Sequence, residues 1–146
     1  MQPDVFNAEA LVFGSSVMLL CLLVQALTVV LVMNPVKDQA RRLARQKRGI
    51  LAQFVFFGAT VLLLLSHLVQ VYIWGLSFNL SGILENPHQA MLFAGSTYTT
   101  VGFVEDPLAQ KWQLAAIIMA TNGFFSFAWS TSAMFGLSRV LYPGET

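Results

Sequence analysis

One cysteine in 146 residues, Cys21, leaves no possibility of an internal disulfide, and a lone thiol in an apolar run says nothing about redox compartment. Charge is scarce as well. Asp, Glu, Lys and Arg make up 10% of the chain, against about 25% in an ordinary soluble domain. There is no phosphate-cradling glycine loop, no nucleophile–base arrangement and no basic surface interleaved with aromatics, so the common enzyme and nucleic-acid-binding classes drop out. The expectation is a protein that is not an enzyme, has no cofactor and has no nucleic-acid partner. His67, His88 and Cys21 lack metal-ligand spacing. No apolar segment carries arginine at every third position, as a voltage sensor does. Repeats and low-complexity tracts are missing too. The start, MQPDVFNAEA, has Asp4 and Glu9 in place of a positive n-region, so no secretory signal is expected.

What the chain does have is apolar length, with 56% of its residues hydrophobic. Three segments reach the roughly 20 helical residues that a bilayer core requires. The first runs from Ala10 to Met33 and is expected to stop at Asn34-Pro35; the second runs from Ile50 to Trp74, and the third from Trp112 to Tyr142. Trp74, Trp112 and Tyr142 fall near segment ends, where amphipathic rings favour the membrane interface. Six of the eight basic residues (Lys37, Arg41, Arg42, Arg45, Lys47 and Arg48) lie between the first two segments. The positive-inside rule puts this loop in the cytoplasm, the N-terminus outside and the C-terminus inside. Asp4, Glu9, Glu85, Glu105 and Asp106 then lie on the outer side of an integral protein of the plasma or inner membrane. Ala40, Leu43 and Ala44 share a helical face, so Lys37–Arg48 has two readings: an interfacial helix on anionic lipid, or the favoured one, a topology signal with no further role.

The stretch between the second and third spans is too short for two more crossings, yet HQAMLFAGSTYTT is apolar enough to enter the membrane. Irregular backbone survives at that depth only when buried in protein or lining a water-filled path. The economical solution is a short helix ending at Tyr98, with Asn86 as its cap and Pro87 in its first turn, followed by an extended return through TTVGFV.

A span, a half-length helix, TTVGF and a last span carrying MATNGFFSFAWSTSAMF together resemble the pore module of the tetrameric potassium channel family. The resemblance covers 50–142 and leaves outside it an N-terminal transmembrane helix (1–35), the basic cytoplasmic loop (36–49) and a C-terminal tail (143–146). It implies an all-α membrane protein with three transmembrane helices, a re-entrant pore half-helix and an extended filter strand between the second and third. It further implies a homotetramer in which carbonyls of Thr100, Val101, Gly102 and Phe103 bind a dehydrated monovalent cation, K+ in the family. Val101 and Phe103 would pack away from the axis, and Glu105 and Asp106 would add negative charge at the outer mouth. Gly123 matches the family's hinge glycine; Phe127, Thr131 and Phe135 continue its face at spacings of four as cavity-lining positions, with ordinary helix packing as the alternative. Val104 stands where the family has a second filter glycine, Ser96 where it has a filter-side glutamate, and Phe93 where a tryptophan often braces the outer acid. Because a β-branched residue resists positive φ, Val104 predicts a splayed outer end and relaxed selectivity.

His67, with Ser66 and Gln70, is expected to be a hydrogen-bonded structural histidine; His88 is expected to be solvated. Asn79–Ser81 fits a glycosylation pattern. The rival function is a non-conducting accessory subunit of a larger membrane complex, docked through its first span.

Overall fold

The computed structural model describes residues 7–46 and 49–141. Asp4, Lys47, Arg48, Tyr142 and the tail 143–146 lie outside the described residues, as does the side chain of Ala44. The described chain is helical, with no β-strand among these residues. Its elements are α1 (Ala8–Thr28), a π-helical turn (Val29–Met33), α2 (Asn34–Arg45), α3 (Gly49–Leu80), α4 (Pro87–Tyr98), a 3-10 turn (Gln110–Trp112) and α5 (Gln113–Leu141).

Three stretches, Ala8–Leu43, Gly49–Leu80 and Gln110–Leu141, have the length and apolarity of transmembrane spans. Their outer faces carry Leu19, Leu31, Phe54, Phe57, Leu64 and Phe124, all well exposed. Gln25, His67, Gln70 and Asn122 are buried between the helices. An apolar exterior around a polar interior suits lipid as solvent, since buried polar groups then find partners within the protein.

The first span does not stop at Asn34-Pro35. Proline lacks an N–H, and its ring crowds the carbonyl four residues back, here that of Leu31. The backbone widens into the π turn Val29–Met33 at that point, so the helix passes Pro35 and runs on into α2. The expected basic loop is thus largely helix. Its Ala40 and Leu43 are buried with Met33, Ala52, Leu63 and Leu137, so the apolar stripe of α2 meets α3 and α5 rather than lipid. Arg41, Arg42 and Arg45 are left exposed, with Arg41 pairing with Asp38 at 3.3 Å.

The second span is also longer than expected, continuing past Trp74 to Leu80. Its end is set by Gly82, at φ +68°. Ile83 N–H donates to Phe78 O and Gly82 N–H to Asn79 O, the Schellman pattern that satisfies a helix's last carbonyls. The Asn79 amide donates to the carbonyls of Leu84 and Glu85, so the nitrogen that glycosylation would use is already engaged.

Between the second and third spans lies α4, twelve residues long. The Asn86 side chain accepts from His88 N–H and Gln89 N–H at 3.0 and 3.3 Å, and Pro87 opens the first turn. Both features follow from the sequence: Asn is a strong helix cap, and Pro at N1 gives up an N–H that has no helical partner anyway. Ala90, Phe93, Ala94 and Tyr98 are buried, joining Trp74 and Phe78 of α3 and Met119 of α5 in one apolar cluster. A helix of twelve residues is about 18 Å long, too short to cross a bilayer alone.

Candidate functional site: the turn after α4

The segment after Tyr98 is anchored chiefly by Ser96, which takes three of its backbone N–H groups. Thr100 N–H donates to Thr97 O (3.0 Å), and Val101 and Gly102 N–H both donate to Ser96 O (3.1 and 3.2 Å). Val104 N–H donates to Ser96 Oγ at 3.2 Å. The first two bonds again form a Schellman cap, so α4 ends as α3 does, with one difference. Where α3 uses glycine, α4 uses Thr100 at φ +59°. A left-handed backbone costs an L-residue about 1–2 kcal/mol, and a β-branched residue there is a real outlier. Gly102 follows at φ +66°.

Thr100 and Gly102 therefore alternate with residues of ordinary φ, and the expected extended strand is instead an irregular segment from 101 to 109. The carbonyls of Thr100, Val101, Gly102 and Phe103 accept no hydrogen bond from the described residues. All four residues are exposed. Val101 and Phe103, expected to pack away from the axis and brace a strand, are 67% and 68% exposed in the single chain. The turn has no second layer of its own chain on which to lay them.

The outer flank is ordinary by comparison. Glu105 is exposed, and Asp106 Oδ1 accepts from Leu108 N–H at 2.9 Å, closing a turn that sets Leu108 into the core. Val104 is half-buried. Replacing Ser96 with alanine removes the acceptor that holds Val104. The expected result is a folded protein in which the Val104 amide exchanges with solvent about fivefold faster, the equivalent of ~1 kcal/mol for one lost hydrogen bond, as measured by site-resolved hydrogen exchange.

On α5, Gly123 lies directly under the end of α4. A Cβ built on it overlaps the carbonyl of Tyr98, so glycine here permits a backbone-to-backbone contact between the two helices. Phe127 is exposed at one edge and stacks on the His67 ring, centroids 4.2 Å apart. Thr131 is exposed, with its hydroxyl donating to Phe127 O, and Phe135 is exposed beneath Arg139, 4.7 Å from the ring centroid.

Behind the turn lies a polar core that joins all three spans and α4. Trp74 Nε1–H donates to Asn122 Oδ1 (2.9 Å), Ser126 Oγ to Gln70 Oε1 (3.0 Å), Gln70 Nε2 to Gln25 Oε1 (2.8 Å) and Gln25 Nε2 to Ser130 Oγ (2.9 Å). His67 meets Ser130 Oγ through Nε2 (3.0 Å) and Tyr98 OH through Nδ1 (3.1 Å). Among the described residues no buried side-chain polar atom lacks a partner. His67 is thus the hydrogen-bonded histidine expected, and His88 is exposed at the start of α4. Gln25, Ser126 and Ser130 had not been singled out. The available signal was spacing: Asn122, Ser126 and Ser130 recur every four residues in an apolar run, on the face that Ser66, His67, Gln70 and Trp74 meet from α3.

Comparison with protein-family profiles, characterised proteins and solved structures finds no match for this chain.

Proposed function

We propose that the chain is one subunit of a homotetrameric, potassium-channel-like cation channel whose filter is Thr100–Phe103. The observation that carries this reading is the run of four exposed residues whose carbonyls have no partner among the described residues, set at alternating positive φ on the end of a half-length helix between two spans. Capping alone does not call for threonine at Thr100, since glycine would serve without strain. A ring of such carbonyls, one run from each of four chains, can replace the hydration shell of a monovalent cation. The C-terminal end of α4 adds the negative pole of a helix dipole, while Glu105 and Asp106 would raise local cation concentration at the mouth.

In this arrangement Val101 and Phe103 are covered by neighbouring subunits rather than by their own. The α5 face running from Gly123 through Phe127, Thr131 and Phe135 lines the cavity. The exposed arginines of α2 face the cytoplasm by the positive-inside rule, at the level where anionic lipid headgroups lie.

The test is the mass of the purified protein in mild detergent, followed by flux of K+ against Na+ from vesicles. A tetramer that passes cations is expected, and Gly102→Ala is expected to abolish flux while leaving the tetramer intact. In the single chain the added methyl meets nothing within 4 Å, so the loss would report the strained φ and not a clash. A monomer, or a complex with unrelated chains and no flux, would replace this reading with that of an accessory subunit docked through α1.

A further inference from the structure

The face of α5 assigned to the cavity does not end at Phe135. One turn further along stands Arg139, the only Asp, Glu, Lys or Arg in α5. It keeps the spacing of four, it is exposed, and its guanidinium carbon lies 4.7 Å from the Phe135 ring centroid. An aromatic face attracts a guanidinium, so the two side chains stay together. Wherever assembly puts Phe135, it puts a positive charge one turn nearer the end of the span. Lys37 of α2 approaches the same turn: its Nζ stands 3.9 Å from where a Cβ on Gly136 would lie. Among the described residues no carboxylate pairs with either cation, the one ion pair being Arg41–Asp38.

We propose that four copies of Arg139 ring the cytoplasmic mouth of the pore and make it rectify, passing K+ inward more readily than outward. This rests on the channel reading above, which puts the α5 face on the axis, and on the positive-inside rule, which puts the end of α5 in the cytoplasm. Where entry limits a current, outward flow depends on the supply of cations at the inner mouth. Inward flow depends on the supply at the outer mouth. The ring lowers the first, because its charge repels cations before they enter. Glu105 and Asp106 raise the second. With equal K+ on both sides nothing flows at zero voltage, so the charges act on the currents and not on the equilibrium. Dissolved salt screens such a ring, which distinguishes it from an obstruction by bulk.

The test is current recorded from inside-out patches of cells that express the full chain, with equal K+ on both faces. At roughly 0.01 M K+, where a charge acts over about 30 Å, inward current is expected to exceed outward current about tenfold at equal and opposite voltages, the low end of what a charged mouth does to ion encounter. Near 1 M, where that reach is about 3 Å, the ratio is expected to approach one; this arm needs no variant. Arg139→Gln is expected to bring the low-salt ratio close to one, and Arg139→Lys, which keeps the charge, to preserve it. Arg42→Gln removes an equal charge from the exposed face of α2 and is expected to leave the ratio unchanged. Currents of equal size in both directions at low salt, or a larger outward current, overturn the ring and leave the channel reading standing. So does an equal fall in Arg42→Gln, which would assign the asymmetry to the charge of the whole cytoplasmic surface. A tetramer that carries no current overturns both.

Discussion

Gly123→Ala is expected to be the most damaging single-methyl change in the protein. The new Cβ overlaps the Tyr98 carbonyl, which is backbone and cannot rotate aside as the tip of a side chain can. Relief requires α4 to move off α5, yet α4 is held there by Ala90, Phe93, Ala94 and Tyr98 in the apolar cluster and by the Tyr98–His67 hydrogen bond. Overpacking usually costs about 1–3 kcal/mol; a collision of two backbones belongs at the upper end. A loss of ~3 kcal/mol corresponds to a fall in melting midpoint on the order of 10 °C, readable by thermal denaturation in detergent. Gly58 is the control. A methyl there meets nothing within 4 Å, and helix propensity favours alanine by about 1 kcal/mol, so Gly58→Ala is expected to be neutral or stabilising. Equal tolerance at both positions would show that α4 and α5 do not touch as described.

The second large effect is expected at Gln25→Leu. Gln25 is fully buried; its oxygen accepts from Gln70 Nε2 and, at 3.4 Å, from Ser66 Oγ, and its nitrogen donates to Ser130. Leucine is more apolar and nearly as large, so burial alone predicts little loss. The orphaned partners decide the sign. An unsatisfied buried polar group costs about 1–3 kcal/mol, but hydrogen bonds between membrane helices average only about 0.6 kcal/mol, because the unfolded chain in lipid also finds partners. Ser66 keeps its stronger bond to Leu63 O at 2.6 Å and Ser130 Oγ keeps His67 Nε2 at 3.0 Å, leaving Gln70 Nε2 as the group truly stranded. A loss of about 2 kcal/mol follows from those limits. Gln25→Leu combined with Gln70→Leu is expected to cost less than the two single changes added together, since they share the Gln70–Gln25 bond. Strict additivity in detergent melting would show that the bond contributes nothing.

The sequence made α4 easy to anticipate, because Asn86-Pro87 is a start signal that acts through local chemistry. Three spans were equally plain from length and apolarity. Where each span ended was not. Asn34-Pro35 is a stop in an ordinary helix, and what overrode it was the π turn together with the packing of Ala40 and Leu43 on α3 and α5, a tertiary effect with no local signature. The second span outlasted Trp74 because Phe78 found a buried place and Gly82 supplied the terminus.

At the candidate site, TTVGF located the turn, which holds Gly102 at positive φ. The strained Thr100 was not foreseen, since nothing local to a threonine announces a left-handed conformation. Exposure of Val101 and Phe103 likewise has no local signature, since apolar side chains of this size are usually expected to be covered. The polar core was half visible. His67, Ser66, Gln70 and Asn122 stand out in apolar runs, but Gln25 is distant in sequence and joins them only once α1 packs along α3 and α5.

The π turn of α1 carries a consequence for how the chain tolerates insertion and deletion. A helix advances about 100° per residue, and the π turn Val29–Met33 takes up one residue more than an α turn does. Removing one residue there, for instance Val30, which is exposed, would restore a uniform pitch and leave every contact of α1 above the turn in place. Because a π turn holds one residue more than an α turn, the same deletion leaves the azimuth of α2 nearly unchanged and keeps Ala40 and Leu43 on the bundle. A deletion in the regular part of α1 would instead rotate α2 by about 100°. The surplus residue in this lipid-facing stretch thus carries the helix past Pro35 while the charges that follow keep their azimuth.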